Sequence, residues 1–100
     1  MNQTTSALLP DLIVALRNSD WRVRADAAWR LGRTGSPAAV MLLEAALADP
    51  YWQVRKEAAT ALGRLPARTA VATLTDWLED EDEEVRRAVA QALAVIQSQS

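Results

Sequence analysis

The groups best able to do chemistry in this chain of 100 residues are carboxylates and guanidiniums, because it contains neither His nor Cys. Without imidazole, the commonest neutral-pH general base and the commonest metal ligand are both missing. Without a thiol, disulfides, thiolate zinc sites and a Cys nucleophile are excluded. Carboxylates, hydroxyls, Lys, Tyr or a bound cofactor would have to carry any catalysis, and no catalytic set, metal centre or cofactor is expected. The densest acid is the run Glu79, Asp80, Glu81, Asp82, Glu83 and Glu84, with Asp76 nearby. It lacks the alternating ligands and central Gly of a helix-loop-helix calcium site. Its expected roles are solubility and favourable charge at a helix start. A formal charge of -2 supplies no basic field, so nucleic acid is not an expected partner. Met1 to Thr5 carries no Lys or Arg, and no apolar run approaches the ~20 residues that span a bilayer. A soluble, cytoplasmic protein is expected.

The elements that position these groups come from a repeat. Val23 and Arg24 recur as Val54 and Arg55, then as Val85 and Arg86, each step being 31 residues. In the same phase run Leu12, Leu43 and Leu74; Leu16, Leu47 and Leu78; Asn18, Asp49 and Asp80; Ala28, Ala59 and Ala90; and Leu31, Leu62 and Leu93. Gly32 and Gly63 are matched by Ala94. Three copies, at approximately 5–34, 35–65 and 66–97, fill a single domain. Within each copy a first helix ends near the Asn or Asp, and a second begins after turns rich in N-cap residues. Ser36 and Pro37 are expected to cap and open the next helix, and Gly32 or Gly63 to end a helix in the left-handed conformation. Few aromatics and no Phe leave Ala, Leu and Val to build closely packed helices. One helix pair cannot cover its own apolar face, so neighbouring pairs must stack. The expected fold is all-α, an α-solenoid of three stacked antiparallel helix pairs with six helices.

The segments Trp21-Arg22-Val23-Arg24 with Ala27-Ala28 and Leu31-Gly32, and Val54-Arg55 with Ala58-Ala59 and Leu62-Gly63, resemble HEAT-like repeats of the phycobilisome-lyase type. The resemblance covers nearly the whole chain. It implies that the second helices line a concave face and that turn acids pair with the Arg after Val in a structural ladder. The candidates are Asp49 with Arg55 and Asp80 with Arg86, while Asn18 in the first copy offers Arg24 or Arg55 a hydrogen bond without charge. In function it implies a protein-protein scaffold or adaptor, not itself an enzyme. The alternative is an accessory subunit or chaperone in bilin attachment to, or removal from, phycobiliproteins. The His-Glu di-iron chemistry of some HEAT proteins does not carry over, since there is no His.

If Val23, Ala27 and Leu31 face inward, the opposite stripe carries Arg22, Asp26, Trp29 and Arg33. Gln53, Glu57, Thr60 and Arg64 follow in the second copy, and Glu84, Ala88, Gln91 and Val95 in the third. This stripe is the candidate partner-binding surface. Trp29 beside Arg33 is its expected anchor, since Trp and Arg dominate binding hot spots. The first helix is apolar around much of its circumference, with Leu9 and Ile13, and Trp77 replaces Ala15 and Ala46 in the third copy. A homodimer through a terminal repeat is expected from these residues.

Overall fold

The computed structural model describes residues 2–99, with side chains described for 9–99. Among these residues six α-helices follow one another: α1 (Asn2–Ala15), α2 (Trp21–Gly32), α3 (Ala38–Ala46), α4 (Trp52–Arg64), α5 (Val71–Asp76) and α6 (Glu83–Ser98). Short 3-10 turns at Arg68–Ala70 and Trp77–Glu79 extend α5 at both ends. The described residues include no strand. Helices α2, α4 and α6 lie side by side with α4 in the middle, and α1, α3 and α5 back them. The resulting two-layer slab measures 36 × 34 × 15 Å.

Each turn between the helices of a pair is built in the same way. The side-chain oxygens of Asn18, Asp49 and Asp80 accept from the backbone N–H two residues on, each at 2.9 Å. The next acid then caps the second helix. Asp20 accepts from the N–H of Arg22 at 2.9 Å, and Asp82 from those of Glu84 and Val85 at 2.8 and 3.2 Å. These bonds satisfy N–H groups that a helix start leaves open. Tyr51 occupies that slot before α4 and makes no side-chain cap. Between the first two copies, Gly35 takes φ +70°, a conformation that favours glycine. Ser36 follows and accepts from the N–H of Ala38 at 3.3 Å, so α3 opens one residue later than Pro37 suggested.

Leu31, Leu43, Leu47, Leu62, Leu65, Leu74, Val54, Val85, Val89 and Ile96 are fully buried between the layers and between copies. Each contributes roughly 1.5–3 kcal/mol on leaving water. The small residues set the spacing. Gly32 and Gly63 do not end their helices in the left-handed region, where only Gly35 is found among the described residues. They are points of close approach instead: a Cβ on Gly32 would lie 2.6 Å from the Cβ of Ala61, and one on Gly63 would lie 3.2 Å from the Cα of Ala92.

Three further expectations change. Ala27 and Leu31 are buried as expected, but Val23 is 36% exposed, whereas Val54 and Val85 are sealed. Val54 lies beside Ile13 and Leu16 of the first copy, whereas Val23 lines an open cavity with Asp11 and Leu12. Leu9 and Trp77 pack against the core, with Trp77 in a groove shared with Ala48, Asp49 and Pro50 of the second copy. Ile13 lines a seam with Leu42 and Ala46. Leu9 and Trp77 are thus partly buried against the chain's own core, and Ile13 is half-buried beside the second copy.

Candidate functional site

Polar side chains gather in two places, the edge formed by the turns and the outward side of the second helices. At the turn edge the arginines following Val form a ladder, in a register different from the one expected. Arg24 donates to both carboxylate oxygens of Asp49 at 2.7 and 3.1 Å, and Arg55 to both of Asp80 at 2.9 and 3.1 Å. Each pair joins an arginine to the acid of the following copy. Within its own copy, and among the described residues, each arginine hydrogen-bonds only main-chain oxygen: Arg24 those of Asn18 at 2.7 Å and Ser19 at 3.1 Å, Arg55 that of Asp49 at 2.9 Å, and Arg86 that of Asp80 at 2.7 Å. The expected side-chain pairs of Asp49 with Arg55 and Asp80 with Arg86 are corrected accordingly. The forked guanidinium can satisfy both at once, two N–H groups toward the next carboxylate and one toward its own turn.

Burial deepens along the ladder. Side-chain exposure is 12% and 10% for Arg24 and Asp49, but 8% and 2% for Arg55 and Asp80. The carboxylate of Asp49, by its hydrogen bonds, raises the Arg24 guanidinium above its ordinary value. Arg86 has no carboxylate partner among the described residues, and Asn18 leaves the first turn without a carboxylate at this position. The acidic run is divided among separate tasks. Asp80 completes the ladder, Asp82 caps α6, Glu83 pairs with Arg87 at 2.8 Å, and Glu84 reaches Lys56 of the second copy at 3.5 Å.

On the outward side the expected residues separate into engaged and open groups. Arg22 folds back onto Asp20 at 3.1 and 3.0 Å, and that side-chain contact, followed by the Arg22 N–H, holds the exposed Asp20 carboxyl below its ordinary range. Asp26 is taken by Arg30 at 2.7 Å. Gln53, Glu57 and Thr60 are half-buried among the second helices, and the side-chain oxygen of Gln53 is enclosed without a donor among the described residues. Trp29, Arg33 and Arg64 remain open. The Arg33 guanidinium lies 4.9 Å from the centre of the Trp29 ring, a cation-π contact, and Trp29 is 40% exposed. Farther along, Thr60, Arg64, Ala88, Gln91 and Val95 border a shallow groove of about 240 Å³ between α4 and α6.

Tyr51 was missed in the sequence. Its ring stacks on Trp21 at 6.1 Å and 14°, and Arg24 lies 5.6 Å from its centre, so it covers the outer side of the first rung. The signal was its phase: Tyr51 stands where the other copies have the capping acids Asp20 and Asp82.

Comparison with known proteins places this arrangement in a class. A family model of HEAT repeats matches residues 2–51 and 40–100. The chain belongs to the HEAT-repeat family. Among solved structures it is similar to one of the complex of CpcE and CpcF of phycocyanin lyase from Nostoc sp. PCC7120, with 40% identity and a TM-score of 0.80, over 86% of this chain and 36% of that one. It is also similar to human deoxyhypusine hydroxylase in complex with glycerol, with 30% identity and a TM-score of 0.80, over 87% of this chain and 31% of that one. The chain spans about a third of the length of each. No curated protein matches it significantly. No helix among the described residues is long and apolar enough to cross a membrane.

Proposed function

We propose that the chain is a protein-interaction scaffold whose second helices present a concave face to a peptide or protein, anchored at Trp29 and Arg33 and extended by Arg64. The observation that carries this reading is the Trp29-Arg33 pair, in cation-π contact at 4.9 Å and open to solvent. An indole buries a large area with few rotatable bonds, and a guanidinium beside it keeps N–H groups for a partner's carboxylate or carbonyl. Arg22, engaged with the N-cap Asp20, and Asp26, engaged with Arg30 on its own helix, form the rim of the site. Half-buried Gln53, Glu57 and Thr60 form its floor. Affinity capture with the parent chain, followed by titration of the captured protein against Trp29→Ala and Arg33→Ala, tests the proposal. Both variants are expected to lose the partner while keeping the parent's helix content, and unchanged binding by both would overturn it.

A second reading rests on the 40% identity to the phycocyanin lyase structure. In it the chain is an accessory subunit or chaperone in bilin attachment or removal on phycobiliproteins. Titration with free bilin separates the two readings. A shifted absorption band that disappears in the Trp29→Ala variant supports the second, and an unshifted spectrum rejects it.

A further inference from the structure

We infer that Arg30 and Ala94, helped by Asn18, keep the three-copy stack from growing head to tail onto a second copy of this chain. The inference rests on the packing between copies. Where the first copy meets the second, Gly32 faces Ala61, and where the second meets the third, Gly63 faces Ala92. Neither junction has room to spare, since an added Cβ would come within 2.6 and 3.2 Å of the facing alanines. One period on from the glycines stands Ala94, and one period before the alanines stands Arg30. Docking the third copy of one molecule onto the first copy of another in the same geometry would press Ala94 against Arg30. A methyl group and a long side chain would occupy space that admits only a hydrogen and a methyl. Arg30 is also held by its 2.7 Å pairing with Asp26 on the same helix.

Two further differences act in the same direction. The ladder would have to continue from Arg86 to the next molecule's Asn18, exchanging the two-pronged charged contact of the internal rungs for a neutral amide. On the outer face of the first copy, Asp11 and Thr34 stand where the second copy buries or half-buries Leu42 and Leu65. That face is therefore more polar than the apolar first helix suggested, although Val23 and Leu12 still floor a cavity of about 390 Å³ there. A heterologous contact of this kind does not close on itself and leads to filaments, so blocking it at both faces has a clear use.

The test restores the internal pattern and asks whether growth follows. Sedimentation velocity across a concentration series is expected to show the parent at its chain mass of 10.9 kDa. The variant Asn18→Asp, Arg30→Ala, Ala94→Gly is expected to reach at least twice that mass as concentration rises. Because three changes in one chain could impair folding, a second experiment divides them. A chain with Asn18→Asp and Arg30→Ala is mixed with one carrying Ala94→Gly. Each alone is expected to remain monomeric, and the equimolar mixture to form a complex. A parent that already associates head to tail overturns the inference. So does a mixture that stays monomeric while both components keep the parent's helix content by circular dichroism.

Discussion

Arg24 and Arg55 are turned into the slab, each held by a carboxylate of the next copy and a carbonyl of its own, whereas Arg33 and Arg64 stand on the outward side of the same helices with solvent around them. The two sets share a side chain and a repeat, and they differ in what surrounds them. Along the turn edge every donor direction used by Arg55 has an acceptor, so the group welds copies together and has little left for another molecule. On the outward side Arg33 lies against the aromatic ring of Trp29. Position along a helix has divided one residue type into a structural role and an available one.

The largest expected effect comes from breaking the buried rung. Asp80→Ala leaves the Arg55 guanidinium in a nearly closed site, with Asp49 main-chain oxygen and the exposed Glu81 at 4.0 Å as its remaining contacts. Loss of one partner from a buried pair costs ~3–5 kcal/mol, which a urea unfolding midpoint would register. Asp49→Ala, at the more exposed rung, is expected to cost less. Neither should change partner affinity measured under conditions where the variant is folded, and a selective loss of affinity would erase the distinction between the two sets.

On the outward side Trp29→Ala is expected to weaken partner binding by about 2 kcal/mol, the size of a hot-spot loss. Its unfolding midpoint should stay close to the parent's. Of comparable size is Gly32→Ala, whose added methyl meets Ala61 and whose overpacking costs roughly 1–3 kcal/mol by thermal unfolding. Gly63→Ala, with a wider gap to Ala92, should cost less. The smallest effect belongs to Asp20. Its carboxyl is held below the ordinary value of 3.8, so its contribution is fully present above that value and is lost as pH falls through the lower folded-state value. An NMR titration should place its midpoint below 3.8 in the parent, and Arg22→Ala should return it toward the ordinary range.

Much of this was legible in the residues. The unbroken 31-residue phase set the number of copies and helices, because apolar positions at helical spacing must be buried and a lone pair cannot bury them. The ladder residues were legible as a set, but not their pairing. Asp49 stands in the same phase relation to Arg24 and to Arg55, and only the distance between stacked turns decides which carboxylate is in reach. Gly32 likewise reads equally well as a helix end or as a packing point, until the neighbouring helix is seen to lie against it. Val23 has the same type and phase as Val54, and its exposure depends on what is stacked on it rather than on anything local. The Trp29-Arg33 pair was visible from its spacing of four residues, while the engagement of Arg22 and Asp26 by neighbouring charges depended on rotamers.

The ladder also bears on how the chain acquires its structure. Its two cross-copy pairs join residues 25 apart, and the bond from Thr73 to Glu44 spans 29, all less than one period. Contacts this local require only short loops to close, which favours fast folding. Assembly can begin at any adjacent pair of copies and spread to the next. The middle copy, which supplies a partner to each neighbour, is the natural place to start.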